Sequence, residues 1–458
     1  MSLLVRNHRT LTSVTHTKMH PTFSWHWVES QSVLAAESWR ACADRPLPCG
    51  PFYTSQQQCQ REKVYDDCLC AVERELHTSS RTEAAHAGFP DRLAAKFAHF
   101  ATTALGLEAS AAKLITRGFM PAGAEFARLS RRFDAALTMA EIVQACRNAW
   151  TVYGLQPLLD EPSRITPSIV GYSLLYPYTD NYLDQRDASD QAKRRFCARF
   201  RVRLRGERIP ARDAHEAAVW ALVAMIESQY PRARYPQVFD SLLAIHQAQE
   251  QSMAQLGASL NSGLDIDRPC TGDEILRISC AKGGSSVLAD ACLARGSLNQ
   301  LESQAAFDWG VLLQLGDDLQ DIQEDLRRGS ATLFTRAAAE GIPLDSLVVQ
   351  LLNFSQSVGI ELDRFPAGSA TLKDLLRMSW RSLIVAAVAH APEFFSPAFL
   401  SELECSSPFR FSFLQARNRK LTSRKSLYTA VFNALVEEPE TKELPITGLT
   451  LSPAALQN

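Results

Sequence analysis

The segment WGVLLQLGDDLQDIQEDLRRGS, residues 309–330, joins an apolar run to an unusually dense group of carboxylates. Its acidic residues are Asp317, Asp318, Asp321, Glu324 and Asp325. Like charges one turn apart destabilise an isolated helix by about 0.2–0.5 kcal/mol per pair. The cluster is therefore either a solvated surface that tolerates this cost or a site that binds cations.

A helical wheel relates these carboxylates to the core, because successive side chains advance by about 100° around the axis. The wheel predicts a buried stripe made of Val311, Leu312, Leu315, Leu319, Ile322 and Leu326. The polar residues that border it are Gln314, Asp318, Asp321 and Asp325, whereas Gln320 and Arg327 lie opposite. The carboxylates thus face the interior or a cavity, where uncompensated charge is costly. Mg²⁺, which binds carboxylates together with substrate phosphates, is the natural compensation.

Helical periodicity continues almost without interruption from Asp91, and no sustained alternation typical of strands is present. The sequence therefore predicts an all-α fold. We expect residues 1–90 to be an N-terminal extension that is partly disordered. Residues 91–435 are expected to form one all-α domain, followed by a flexible tail at 436–458.

The composition of the chain excludes several classes of protein. With 458 residues, a net charge of −2 and 46% apolar residues, it resembles an ordinary globular protein with no feature that favours nucleic acid. No apolar run is long enough to span a bilayer, so a cytoplasmic location is expected, although residues 1–28 faintly resemble a transit peptide. The 11 cysteines are odd in number and irregularly spaced, which favours reduced thiols over a disulfide framework.

A second acidic pair lies in YSLLYPYTDNYLD, residues 172–184. Asp180 and Asp184 are four residues apart and share a helix face with Tyr176. Two acidic helices that face each other across a bundle can hold Mg²⁺ ions, and those ions can hold a diphosphate. The alternative is an acidic helix end that runs into a loop.

Two basic features would complement such a site. Lys282 lies on the apolar side of the helix predicted for residues 274–293, where it needs a counter-charge or must extend to solvent. The following pair, Gly283 and Gly284, indicates a kink or a close approach of backbone or ligand. In the basic segment 193–208, Arg195 and Arg199 would either bind a diphosphate or pair with acidic neighbours on a solvated face.

Together these motifs resemble the class I isoprenoid synthase superfamily, in particular its squalene/phytoene synthase branch. That branch carries two D-x-x-x-D motifs on facing helices, the second typically within Q-x-T-N-I-x-R-D-x-x-E-D and followed by a basic pair and glycine. The matching residues here are Gln314, Asp321, Glu324, Asp325, Arg327, Arg328 and Gly329. The stretch DNYLD at 180–184 matches the first motif and also resembles the aspartate motif of large terpene synthases.

The resemblance covers about residues 91–400, and the chain departs from the pattern at several positions. Gly316, Asp317 and Asp318 replace Thr-Asn-Ile, Gln320 replaces arginine, and the tyrosine-rich segment of squalene and phytoene synthases is not evident. The extra carboxylates fit a site that ionises a diphosphate, while cyclisation, coupling and proton loss all stay open as the next step.

The resemblance implies a class I isoprenoid synthase helical bundle around a central cavity, with an allylic prenyl diphosphate as substrate. It implies about three Mg²⁺ ions. Their ligands would be Asp180, Asp184, Asp317, Asp318, Asp321 and Asp325, of which Asp180, Asp184, Asp321 and Asp325 are the expected catalytic residues. Lys282, Arg195 and Arg199 would hold the diphosphate. The substrate pocket would include Tyr172, Tyr176, Trp220 and Gln314.

Two other functions are compatible with the sequence. One is a chain-elongating trans-prenyl diphosphate synthase, for which DDLQD at 317–321 provides one D-D-x-x-D motif. The other is a non-catalytic helical scaffold. We expect a prenyl diphosphate as the partner, with no nucleic acid, and peripheral membrane association if the product is apolar; the oligomeric state is left open.

Overall fold

The computed structural model describes residues 21–79, 88–184, 188–257, 271–365, 367–421 and 425–436, and no strand occurs within these ranges. The chain is all-α, as predicted from the sequence. Its first ten α-helices are α1 (Trp25–Arg40), α2 (Ser55–Ser79), α3 (Phe89–Thr103), α4 (Ala109–Leu114), α5 (Met120–Phe133), α6 (Met139–Leu158), α7 (Pro167–Asp184), α8 (Asp190–Leu204), α9 (Ala214–Gln229) and α10 (Pro236–Gly257). The remaining ones are α11 (Gly272–Arg295), α12 (Gln300–Gln320), α13 (Ile322–Arg328), α14 (Leu333–Ala339), α15 (Asp345–Glu361), α16 (Ala370–His390), α17 (Pro397–Glu404), α18 (Phe411–Leu421) and α19 (Lys425–Val436).

Helix α11 lies at the centre of the molecule and packs against α1, α6, α10 and α12. Residues on all of its sides are buried, as expected for a helix enclosed by others. A capping box starts it, as the Thr271-Gly-Asp-Glu274 spacing predicts: the Glu274 amide donates to Thr271 Oγ1 at 3.3 Å, and the Thr271 amide donates to Glu274 Oε2 at 2.8 Å. Gly296, with φ +90°, ends it.

The glycine pair of α11 allows a close crossing with α12. A Cβ atom added at Gly283 would lie 2.4 Å from the carbonyl oxygen of Gly310, and one at Gly284 would lie 2.4 Å from the Phe307 ring. The structure thus confirms a close approach of backbone at this pair. The crossing brings the residues around Lys282 next to the acidic end of α12.

The N-terminal region differs from the sequence-based expectation. Helix α1 belongs to the main core, where Phe23, Val28 and Trp39 are buried, and Arg40 pairs with Asp273 at 2.8 Å. Helix α1 thus packs with the domain expected at 91–435, while the domain boundary itself stays a prediction. Weak periodicity hid these helices, because α1 carries tryptophan, serine and glutamate beside its core residues. Residues 1–20, 80–87 and the predicted tail beyond 436 lie outside the described residues.

The acidic segment forms two helices instead of the single one assumed for the wheel. The backbone breaks at Asp321 (φ −94°, ψ 10°), between α12 and α13. The predicted stripe from Val311 to Ile322 is buried, but Leu326 is 37% exposed, so its predicted burial is wrong. The break shifts the phase of α13 and turns Leu326 outward. Among the described helices, none is both long and apolar enough to cross a membrane.

Candidate functional site

A cavity of about 1210 Å³ lies among helices α6, α7, α10, α11, α12 and α16. Small-molecule sites typically measure about 300–1,000 Å³, so this cavity can enclose a long ligand. Its wall includes nine of the residues singled out from the sequence: Tyr172, Tyr176, Asp180, Lys282, Gln314, Asp317, Asp318, Asp321 and Asp325. The two acidic stretches, more than 130 residues apart in sequence, therefore meet at one cavity.

The α7 wall contributes Asp180, which is only 8% exposed. Pro177 lies within α7 without ending it, so Tyr172, Tyr176 and Asp180 follow one another at one-turn intervals along the same face. The side-chain amide of Gln249, from α10, donates to Asp180 Oδ1. The side chain of Asp184 lies outside the described residues, so its role stays a prediction.

The opposite wall contributes the carboxylates of α12 and α13. Asp318 is 6% exposed and accepts two hydrogen bonds, from Gln314 Nε2 at 2.8 Å and from the Ser279 hydroxyl at 3.0 Å. Asp317 forms an ion pair with Arg147 of α6. Gly329, the motif glycine, has φ +74° and ends α13. These contacts hold the carboxylates at the cavity wall, where the wheel placed them.

The positive charges of Arg147 and Lys282 do not return the pKa values of these carboxyl groups to their ordinary range. Burial raises the pKa of Asp318 to about 7 and, together with the nearby Asp321 charge, raises the pKa of Asp325 to about 6. Desolvation also raises the pKa of the half-buried Asp317 and of the more exposed Asp321, although Arg147 opposes the shift at both. The positive charge of Lys282 acts on Asp317, Asp318 and Asp325 without cancelling the effect of burial. An added cation would stabilise the ionised forms.

The donor set fits Mg²⁺. Carboxylate oxygens from two walls are hard ligands, and an open cavity beside them leaves room for phosphate oxygens and water. Asp180 on one side and Asp317, Asp321 and Asp325 on the other are the residues that could hold such ions. Lys282 and Arg147 could contact a bound diphosphate from the same cavity.

Three residues predicted for the site lie elsewhere. Arg199 forms a bidentate ion pair with Glu216, at 2.7 and 2.8 Å, and donates to the Pro210 carbonyl; neither Arg199 nor the exposed Arg195 lines the cavity. The Trp220 indole donates to the Ile209 carbonyl at 3.1 Å, outside the cavity wall. The position of Arg199 in the basic segment 193–208 therefore fits the second possibility given by the sequence, a basic face that pairs with acidic neighbours.

Aromatic residues other than Trp220 line the cavity. Trp309 and Trp380 line the cavity and contact each other edge to face, with ring centroids 5.2 Å apart. Phe119 and Trp150 line another part, and the Trp150 indole donates to the Phe119 carbonyl at 3.0 Å. Aromatic faces of this kind can stabilise a cationic ligand.

No protein-family model, curated protein or solved structure matches this chain. Function has to be inferred from the site, because a helical fold alone hosts many chemistries. The resemblance carried by the two acidic motifs stays a prediction.

A second group of potential metal ligands includes one residue of the cavity wall, His246. It consists of Cys197, His246 and Glu250, whose ligand atoms lie within 4.8 Å of one another. His246 Nε2 donates to the Cys197 carbonyl at 3.0 Å, and Glu250 pairs with Arg201. Burial raises the pKa of the Cys197 thiol to about 12, which disfavours a thiolate ligand. This group is therefore a weaker metal site than the carboxylates.

Proposed function

We propose that the protein is a Mg²⁺-dependent class I isoprenoid synthase that ionises an allylic prenyl diphosphate and releases diphosphate. One observation carries the proposal: carboxylates from two separate acidic motifs line the same cavity, and its wall also includes aromatic and aliphatic side chains such as Trp309, Trp380 and Leu383. A polar end that suits a metal diphosphate thus adjoins a space that suits a hydrocarbon.

Each part of the wall has a role in this proposal. The carboxylates of Asp180, Asp317, Asp321 and Asp325 would hold Mg²⁺, which, when bound, neutralises the diphosphate and makes it a better leaving group. Lys282 would donate to the departing diphosphate, with Arg147 as a second cation close by. Trp309 and Trp380 would exclude water and shield the allylic cation. Coupling, cyclisation or proton loss would complete the reaction.

Chain elongation is the second candidate, and one observation favours it. Asp317, Asp318 and Asp321 form a D-D-x-x-D motif, and all three line the cavity. In that case the product would be a longer prenyl diphosphate. Such a reaction requires isopentenyl diphosphate as the second substrate, so adding this compound separates the two candidates.

The test is turnover of C10, C15, C20 and C25 prenyl diphosphates by the purified chain, with and without Mg²⁺. Pyrophosphate release is followed, and extracted products are identified by mass spectrometry. We expect release that requires Mg²⁺ and an apolar hydrocarbon or alcohol as product. Absence of release from every substrate, alone, in pairs or with isopentenyl diphosphate, by protein that retains its helical circular dichroism would contradict the proposal and favour a non-catalytic scaffold.

A further inference from the structure

A carboxyl group that the proposed function does not use, Asp290, lines a more buried part of the same cavity, which we call its deep end. Asp290 follows Lys282 by eight residues in α11, which places it about 12 Å further along the helix. Its side chain lines the cavity and is only 1% exposed. A ligand with its diphosphate near Lys282 would therefore direct its hydrocarbon part toward Asp290 if it follows α11.

No described residue satisfies this carboxyl group fully. Asp290 Oδ1 is buried and has no hydrogen-bond partner among the described residues. The nearby Tyr172 hydroxyl donates to the carbonyl of Ser286, at 3.1 Å. Buried polar atoms are rarely left without a partner, and a catalytic role is one recognised reason for an exception.

The surroundings favour the neutral form of this carboxyl group. Burial alone raises the pKa of Asp290 well above its ordinary value. The cavity wall includes the apolar Val287, one turn before Asp290 in α11, and also Leu242 and Phe200. A neutral carboxylic acid in a water-poor space can donate a proton to a bound ligand.

We propose that Asp290 is a catalytic acid–base residue that protonates a carbon–carbon double bond of a neutral isoprenoid intermediate held in the deep part of the cavity. This inference rests on the proposed function. The O–H bond of Asp290 breaks, the π electrons form a new C–H bond, and a carbocation and a carboxylate result. The carboxylate then removes a proton from a carbon next to the cationic centre, which forms a new double bond and restores the acid. The net change is an isomerisation or ring closure that needs no oxidant or reductant.

Deuterium uptake from solvent tests this step. The full chain is equilibrated in D₂O, so that the acid proton of Asp290 exchanges, and then turns over C15, C20 and C25 prenyl diphosphates with Mg²⁺. We expect the wild-type product to carry one deuterium at a former alkene carbon. Asp290→Asn should form this labelled product at least about 100-fold more slowly and release an unlabelled alkene instead.

A matched control is available in Asp308. Burial raises its pKa to about 7, but it does not line the cavity. Asp308→Asn should therefore give the labelled product as the wild type does.

Three results would overturn the inference. An unlabelled product from the wild type would refute the role of Asp290, and this result needs no variant. A labelled product from Asp290→Asn would refute it too. Both results would leave the proposed function intact. Absence of pyrophosphate release by the wild type would refute both.

Discussion

Asp318 and Asp290 are two buried carboxyl groups in one cavity, and they differ in what surrounds them. Burial raises the pKa of both. Asp318 accepts hydrogen bonds from Ser279 and Gln314 and lies among other carboxylates close to Lys282. Asp290 Oδ1 has no partner among the described residues.

The difference shows how one cavity can combine two chemistries. Hydrogen bonds from Gln314 and Ser279 and the charge of Lys282 lower the pKa of Asp318 against the effect of burial. An added metal ion can therefore stabilise the ionised form. Burial without such support keeps Asp290 neutral, which suits proton transfer to a hydrocarbon. In the proposed function, the acidic end of the cavity would hold a metal diphosphate and the deep end would hold the carbon skeleton.

The largest effect is expected from Asp321→Asn at the acidic end. Loss of one carboxylate should weaken metal binding and reduce Mg²⁺-dependent pyrophosphate release by at least about 100-fold, because the leaving group is no longer stabilised. Circular dichroism should show an unchanged helix content. The control is Arg195→Gln, on an exposed position outside the cavity; retained activity in Asp321→Asn would refute the metal assignment.

Lys282→Met should have the next largest effect. Removing this cation, which lies near Asp317, Asp318 and Asp325, should raise KM or lower kcat for diphosphate release by about 10- to 100-fold, since hydrogen bonds to charged groups contribute about 1.5–3 kcal/mol.

Arg199→Gln separates this effect from a general loss of positive charge. Because Arg199 pairs with Glu216 outside the cavity, its removal should lower the free energy of unfolding, by about 1–3 kcal/mol, and leave KM unchanged. If Lys282→Met and Arg199→Gln changed KM equally, the placement of Lys282 at the diphosphate would be contradicted.

Gly283→Ala should disturb the crossing of α11 and α12 next to Lys282. The new methyl group would lie 2.4 Å from the carbonyl oxygen of Gly310, so the helices must separate. We expect the free energy of unfolding to fall by about 1–3 kcal/mol in denaturant titrations. In Gly272→Ala the nearest atom would be 3.6 Å away, and stability should be unchanged or slightly higher. A crossing that tolerates Gly283→Ala would show that close packing is not required there.

The smallest expected effect is a fall in Tm of the Mg²⁺-free protein as the pH rises from about 5 to about 8. Folding raises the pKa of Asp318 to about 7 and of Asp325 to about 6, because burial disfavours the charged forms. The resulting stabilisation is complete below the unfolded-state pKa near 3.8 and is lost as the pH rises through 6 and 7.

Variants identify the groups responsible for this pH dependence. Asp308 also has a pKa of about 7, so the measurement is repeated in Asp308→Asn, where the fall should persist. In Asp318→Asn the fall in Tm should be smaller. Adding Mg²⁺ and pyrophosphate to the wild type should raise its Tm at high pH, because they bind the folded protein. A Tm that rises over this range would contradict the pKa direction.

Much of the acidic end was predictable from the sequence. The all-α fold, the buried stripe from Val311 to Ile322 and the capping box at Thr271 all follow from local periodicity and spacing. The same reasoning failed at Leu326, because a helical wheel assumes an unbroken helix and the backbone breaks at Asp321.

The deep end could not be predicted in the same way. Asp290 is a single acid in an otherwise apolar and small-residue stretch, and its burial depends on helices that surround α11 on every side. The ion pair of the exposed Arg147 with Asp317 could not be predicted either, because it joins two helices that are far apart in sequence. Both positions depend on tertiary packing rather than on local pattern.

Calorimetric titration of the full chain with inorganic pyrophosphate, with and without Mg²⁺, tests the central claim most directly. The account predicts binding that requires Mg²⁺, is lost in Asp321→Asn and persists in Asp308→Asn, because only the cavity carboxylates hold the metal. Binding that is independent of Mg²⁺, or equal in Asp321→Asn and the wild type, would contradict it.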